Sequence, residues 1–114
     1  MCRHEDSRTW ARPEDVEVFV FPRYNWWNNI VRIKSLDPAT RRVELVGDCS
    51  YPIRPGDRYY FQNALEEVDA PGEWYLDSKA GTLYFWPPAG ADINSVSAPT
   101  TRTILEFDKA SHIT

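Results

Sequence analysis

One stretch of the sequence decides the fold: residues 73–86, which read Glu-Trp-Tyr-Leu-Asp-Ser-Lys-Ala-Gly-Thr-Leu-Tyr-Phe-Trp. Two short runs of aromatic and aliphatic residues flank a turn sequence, and Gly81 can adopt the positive φ that closes a hairpin. The pattern therefore predicts an antiparallel β-hairpin with two apolar faces, only one of which can meet the core of this domain. Alternation places Trp74, Leu76, Leu83 and Phe85 on one face and Tyr75, Tyr84 and Trp86 on the other.

Short alternating runs predict further strands on both sides of this hairpin. The strands are expected at residues 15–21, 26–36, 42–46, 58–61, 91–97 and 102–107, with a turn at residues 37–41 joining the second to the third. The one helical candidate spans residues 63–68, with Asn63 as its N-cap. Together these signals predict an all-β fold, a small barrel or sandwich of short antiparallel strands with one short helix.

Length and charge narrow the classes of protein that fit. The chain has 114 residues, which is enough for one domain with a modest core. Its 13 basic and 17 acidic residues give a formal net charge of -4, and the basic residues are scattered. A nucleic-acid partner requires a basic patch, so the charge pattern argues against one. The first residues carry no apolar run, so the sequence predicts no signal peptide, no membrane anchor and no membrane partner.

Histidine and cysteine are too sparse to build a catalytic or metal site. The chain contains His4 and His112, one near each end, and the two cysteines Cys2 and Cys49. A zinc site or an activated nucleophile needs such residues to converge, so we predict no metal, no cofactor and no catalytic residue in this chain. The two cysteines are expected to be unpaired, with Cys49 buried and Cys2 incidental in a flexible N-terminal segment.

Carboxylate side chains, which can act in acid–base catalysis, are concentrated in one part of the sequence. Five of them fall between residues 66 and 77, and a glycosidase needs two carboxylates flanking a sugar bond. We nevertheless favour a structural interpretation of this cluster. Glu66 fits the start of the short helix, Asp69 fits the turn before Pro71, and Asp77 fits the entry to the hairpin turn. The five residues are Glu66, Glu67, Asp69, Glu73 and Asp77.

Aromatic residues make up 14% of the chain and supply the candidate contact residues. The apolar faces of sugar rings stack on tryptophan and tyrosine, but the same side chains also fill cores and contacts between domains. If the segment around Trp26 and Trp27 is extended, these two side chains point to opposite faces and at least one should be buried. The candidates for carbohydrate or interdomain contact are Trp26, Trp27, Tyr75, Tyr84 and Trp86.

The sequence resembles a known family over residues 58–77 and 81–88, which read RYYFQNALEEVDAPGEWYLD and GTLYFWPP. These stretches are similar to the insertion domain of right-handed parallel β-helix proteins of the glycoside hydrolase family 141 type. The resemblance implies a compact β domain set into a β-helix that carries the catalytic carboxylates itself. It also implies that residues 99–114 are the strand that returns to that β-helix. The expected organisation is a flexible segment at 1–9, the insertion domain at 10–98 and this strand, so the chain is predicted to be a fragment.

From the resemblance we predict a non-catalytic accessory domain that shapes or caps the substrate groove of a carbohydrate-active β-helix enzyme. The implied partners are the parent β-helix domain and a polysaccharide or oligosaccharide, and the parent is expected to be secreted or periplasmic. An alternative is an autonomous carbohydrate-binding module that uses exposed aromatic residues. A protein-interaction barrel unrelated to sugar is the third class. The sequence leaves the identity of the glycan open, because fold kinship does not transmit substrate.

Overall fold

The computed structural model describes residues 2, 8–109 and 111 and shows two antiparallel sheets. The predicted all-β class is therefore confirmed. Within these residues, no helix is long and apolar enough to span a lipid bilayer. The strands are β1 (Glu17–Val20), β2 (Asn29–Asp37), β3 (Arg42–Leu45), β4 (Tyr59–Gln62), β5 (Trp74–Asp77) and β6 (Thr82–Phe85).

Four strands form the larger sheet, in the order β3-β2-β1-β4. The valines of the first strand alternate as predicted, and Val16, Val18 and Val20 are all buried. The predicted turn between β2 and β3 is also present, because the Asp37 carboxylate accepts hydrogen bonds from the backbone N–H of Ala39 (2.9 Å) and from the Thr40 hydroxyl (2.6 Å). A local side-chain bond thus fixes the register of this hairpin.

The core lies against one face of this sheet. Ile33 of β2 packs there with the buried valines and with Phe61 of β4. Trp10, from the segment before β1, closes the core, with its ring 4.9 Å from that of Phe61 between centroids. Alternation along each strand separates this buried face from an outer face that carries Phe19 and Tyr60, whose rings stack at 4.9 Å.

The cysteines are placed differently from the prediction. Cys2 is buried in the core, and its backbone N–H donates to the Arg41 carbonyl at 2.9 Å, whereas Cys49 is only half-buried. Neither of these two cysteines forms a disulfide bond. Burial, followed by the negative charge of Asp48, raises the pKa of the Cys49 thiol. The prediction for Cys2 relied on its position near the N-terminus. The residue is instead held by the hydrogen bond from its backbone N–H to the Arg41 carbonyl, next to β3.

The predicted helix at residues 63–68 is only a single 3-10 turn, Leu65–Glu67. Asn63 is not its N-cap, since Asn63 has a φ of 64° and its side-chain amide donates to the Asp15 carbonyl at 2.7 Å. A residue in the left-handed region does not lead into an α-helix, and its side chain is already committed to another segment. The segment is therefore a tight turn between β4 and the second hairpin.

The two strands predicted after this hairpin are also absent from the described residues. Ile93–Ser95 forms a 3-10 turn whose N-terminus is capped by Asp92, and residues 102–107 pair with no strand. Their apolar side chains Ile104, Leu105 and Phe107 are exposed. Strand-forming composition cannot by itself create a strand, because a strand needs an edge to pair with. The return of residues 99–114 to a β-helix stays a prediction.

The second sheet is the hairpin that the sequence predicted. Trp74 pairs with Phe85, Tyr75 with Tyr84 and Leu76 with Leu83, so the predicted division into two faces is confirmed. Gly81 closes the turn at a φ of 66°. The Asp77 carboxylate accepts the backbone N–H groups of Lys79 and Ala80, each at 3.0 Å.

Replacement of Gly81 by alanine should destabilise the protein by about 1–2 kcal/mol, because a Cβ atom is strained at positive φ. Space is not the cause, since no atom lies within 4 Å of the added Cβ. Gly47→Ala is the matched control, because Gly47 has equally open surroundings and no positive φ. Urea denaturation of both variants measures the difference. If the two variants were equally stable, strain at the positive φ of Gly81 could not be the cause of the loss.

Candidate contact surfaces and a carboxylate clamp

The carboxylates of residues 66–77 anchor the segment before β1. The Arg8 guanidinium donates to the Glu66 carbonyl at 2.7 Å and pairs with the Asp69 carboxylate. The Glu66 carboxylate accepts the backbone N–H of Ala11 at 2.8 Å. Glu66 therefore joins two distant segments, and the predicted role in starting a helix is wrong because no α-helix forms there.

Two further acids of this stretch also have structural partners. The Glu67 carboxylate accepts the indole N–H of Trp10 at 2.7 Å. Glu73 accepts the backbone N–H groups of Asp69 and Ala70 at 2.7 and 2.8 Å, which closes the turn before β5. Asp69 thus lies in a turn, as predicted, although its own carboxylate pairs with Arg8.

Asp77 joins the second hairpin to the segment before β1. Its carboxylate accepts a hydrogen bond from the Arg12 guanidinium at 3.0 Å, and Arg12 also donates to the Tyr75 hydroxyl. The backbone N–H of Ala80 lowers the pKa of Asp77 most, with Arg12 adding to the effect against the opposing cost of burial. A glycosidase general acid needs a raised pKa, so Asp77 has the opposite property.

The structure does not bring a metal or nucleophile site together from these acids. Among residues 2, 8–109 and 111, no group of three histidine, cysteine, aspartate or glutamate side chains could hold a metal ion. His4 and His112 lie outside the described residues. Except for Glu73, the acids of residues 66–77 act in the described structure as a clamp on the N-terminal segment.

The hairpin turns its tyrosine face toward this clamp. Tyr75 is only 6% exposed and Arg12 is bound to it, so this candidate is placed inside the domain rather than on a contact surface. Tyr84 stacks beside it with 6.1 Å between ring centroids and is partly exposed. Trp86 is also partly exposed, and its backbone N–H donates to the Glu73 carbonyl at 2.9 Å. Of the three predicted hairpin contacts, only Tyr84 and Trp86 remain accessible.

The opposite face of the hairpin forms an exposed apolar surface that the candidate residues did not include. Trp74 is 65% exposed, and Leu76 and Leu83 are each exposed by nearly half. Phe85, opposite Trp74, is half-buried. We call Trp74, Leu76, Leu83 and Phe85 the outer hairpin face. Alternation had identified these four residues as one face, but it could not decide which face turns outward.

A second exposed aromatic surface lies in the loops beside β2. Trp26 is 72% exposed and Trp27 is 41% exposed. Both lie before β2 rather than in an extended strand, so the condition under which one of them should be buried is not met. Their rings meet edge to face at 5.9 Å. Tyr24 stacks on Trp26 at 5.3 Å, and Tyr51 contacts both Tyr24 and Trp27. We call Tyr24, Trp26, Trp27 and Tyr51 the loop aromatic cluster.

One segment of this structure matches a known family model. Residues 54–88 match the family model of the GH141 insertion domain. The matched segment contains β4, the following 3-10 turn and the whole second hairpin, including the outer hairpin face. The match confirms the resemblance to the insertion domain of this glycoside hydrolase family and suggests an accessory part of such an enzyme. No curated protein and no solved structure matches the chain.

Proposed function

We propose that this chain is a non-catalytic accessory domain that docks on a carbohydrate-active β-helix protein and shapes or caps its substrate groove. The observation that carries this proposal is the position of the outer hairpin face inside the matched residues 54–88. Exposed apolar patches on soluble domains commonly mark interfaces. The parent β-helix domain is therefore the partner assigned to this face.

The shape and chemistry of the outer hairpin face suit such a partner. Trp74 and Phe85 are directly opposite each other, as are Leu76 and Leu83, so the four side chains form one continuous patch. Large aromatic residues at the centre of an interface contribute most of its binding energy. A β-helix offers flat sheets as its sides, and sheets pack face to face through such side chains.

The bonding of the acids supports an accessory role rather than hydrolysis by this chain. Glu66, Glu67, Glu73 and Asp77 each accept hydrogen bonds from backbone or side-chain donors of the domain itself. A hydrolase needs one acid held protonated near a sugar bond and a second acid able to activate water or attack. The clamp uses its carboxylates for anchoring the N-terminal segment instead.

Docking can be tested by adding the purified chain to a GH141-type enzyme from which the insertion domain has been deleted. We expect a complex in sedimentation velocity, together with a changed substrate profile of the enzyme. Trp74→Glu should weaken the complex about tenfold or more, because it places a charge in an apolar contact. Val46→Glu is the matched control, since Val46 is as exposed as Trp74 but lies outside the hairpin. Absence of a complex, or equal loss in both variants, would overturn the proposal.

An autonomous carbohydrate-binding module is the second candidate function. The loop aromatic cluster favours it, because Trp26 presents most of its ring to solvent in the chain by itself. This candidate requires glycan binding by the isolated chain, whereas the accessory role requires the enzyme. The two candidates use different surfaces, so each can be tested without disturbing the other.

A further inference from the structure

We propose that the loop aromatic cluster and Arg23 form a binding site for an acidic glycan, a polysaccharide whose sugar rings carry carboxylate groups. The inference rests on the second candidate function, glycan binding by the loop aromatic cluster, and names the ligand class of that surface, which is separate from the outer hairpin face. It therefore does not depend on docking to a parent enzyme.

In the loop aromatic cluster, two nearly parallel rings form a platform, and two further rings stand perpendicular to them. Tyr24 and Trp26 are nearly parallel, with 21° between their planes. The ring of Trp27 stands at 89° to that of Trp26, and that of Tyr51 at 89° to that of Tyr24. A sugar ring has apolar C–H faces that fit a flat indole, and upright neighbouring rings limit how it can lie.

Hydrogen bonds hold the loop that carries the platform. The Asp57 carboxylate accepts the backbone N–H groups of Arg23 (3.1 Å) and Arg54 (2.8 Å), and the Arg54 guanidinium returns a bond to the Arg23 carbonyl at 2.8 Å. On the other side, Asn29 and Ser50 exchange two bonds at 3.0 and 3.1 Å. A platform ordered before the ligand arrives loses less entropy on binding.

The charge beside the platform favours an anion. The Arg23 guanidinium lies 5.1 Å from the ring centroid of Tyr24 and 5.8 Å from that of Tyr51. Within the part of the chain that the structure describes, no carboxylate forms a salt bridge with Arg23, Arg54 or Arg58, although Asp57 attracts Arg54 and offsets part of the positive charge. These three cations surround one loop of a chain whose net charge is -4.

Arg23 is positioned to serve a ligand rather than the fold. Its backbone is fixed by Asp57, and its guanidinium rests on two rings without any side-chain hydrogen bond to the described residues. The Asp57 carboxylate stays ionised, because two backbone donors lower its pKa, with that of Arg54 contributing most, but it forms no bond with the Arg23 guanidinium. An apolar partner would leave the guanidinium buried without an acceptor, which is costly. A carboxylated sugar provides both the apolar face and the acceptor.

Affinity gel electrophoresis of the full chain tests this site, with polygalacturonate, its methyl-esterified form and a neutral β-glucan as the probes. We expect retardation by polygalacturonate, less by the ester, which has the same ring without the charge, and weaker binding at high salt. Trp26→Ala should raise the dissociation constant about tenfold, and Arg23→Gln should raise it roughly threefold. Trp74→Ala is the control and should leave binding unchanged.

The outcomes separate this site from the docking proposal. No retardation by any probe, or retardation that survives Trp26→Ala, would overturn the site. Equal retardation by polygalacturonate and its ester, with no effect of Arg23→Gln, would overturn the acidic ligand. Thermal denaturation of each variant verifies folding, so a lost site is distinguishable from a lost fold. Loss of enzyme docking by Trp74→Glu with glycan binding intact would leave this inference standing.

Discussion

The Trp10→Ala variant should lose about 3–5 kcal/mol of unfolding free energy, the range expected when a large buried aromatic side chain is removed. Trp10 is 5% exposed and packs edge to face on Phe61. Its indole N–H also donates to the Glu67 carboxylate, which would lose that donor. Domains of this kind have about 5–15 kcal/mol of stability in total, so most of the population could unfold on mild heating.

Two matched variants separate the causes of this loss. Trp10→Phe keeps an aromatic ring over Phe61 but removes the N–H donor, so urea denaturation should show an intermediate loss. Trp74→Ala removes the same side chain from a position that is mostly exposed and should cost far less. A Trp10→Ala variant within about 1 kcal/mol of the unaltered chain would show that Trp10 does not close the core.

The sequence predicted the elements whose signals are local. Alternation of Val16, Val18 and Val20 identified the inner face of β1, and the Asp37 turn identified the β2–β3 hairpin. Gly81 identified the second hairpin in the same way. In each case the deciding pattern lies within a few consecutive residues, so a short window of sequence contains the information.

Elements that depend on distant partners could not be predicted in this way. Trp10 belongs to no alternating run, yet it closes the core by contacts with Phe61 and Glu67 far along the chain. The composition of residues 102–107 favours a strand, but no edge pairs with them in the described structure. The composition of residues 26–36 predicts a strand from Trp26 onward, whereas Trp26 and Trp27 precede β2 and are exposed.

The arrangement of the second hairpin was predicted in part. The two faces of the second hairpin followed from alternation, but the inward face was set by Arg12, which binds both Tyr75 and Asp77. Both faces carry aromatic residues, so hydrophobicity alone could not choose between them. The available signal was chemical: only the Tyr75 face offers a hydroxyl and a carboxylate to an approaching guanidinium. Because Arg12 binds the Tyr75 face, the opposite, apolar face of the hairpin is exposed as the outer hairpin face.

The Arg12→Gln variant should therefore loosen the second hairpin from the domain while leaving the four-stranded sheet folded. Arg12 is the residue through which the segment before β1 bonds to Asp77 and Tyr75, and it pairs with Asp15 at 3.2 Å as well. Glutamine keeps much of the stem but lacks the charge and the forked donors. We expect amide hydrogen exchange in β5 and β6 to accelerate about tenfold, with β1 and β2 unchanged.

Acid should have the same effect on the unaltered chain, through Asp77. Because the pKa of Asp77 is lowered in the folded chain, its contribution is complete above the ordinary aspartate value of 3.8 and is lost as the pH falls through the lowered value. Hairpin exchange, corrected for the intrinsic pH dependence, should therefore be constant from neutral pH to about pH 4 and rise below it. In Arg12→Gln the rise in hairpin exchange at acid pH, the acid step, should be smaller, because one cause of the lowered pKa of Asp77 has been removed. Lys34→Gln, which removes an exposed cation from the sheet, is the control. An acid step of equal size in both variants would show that Arg12 does not hold the hairpin through Asp77.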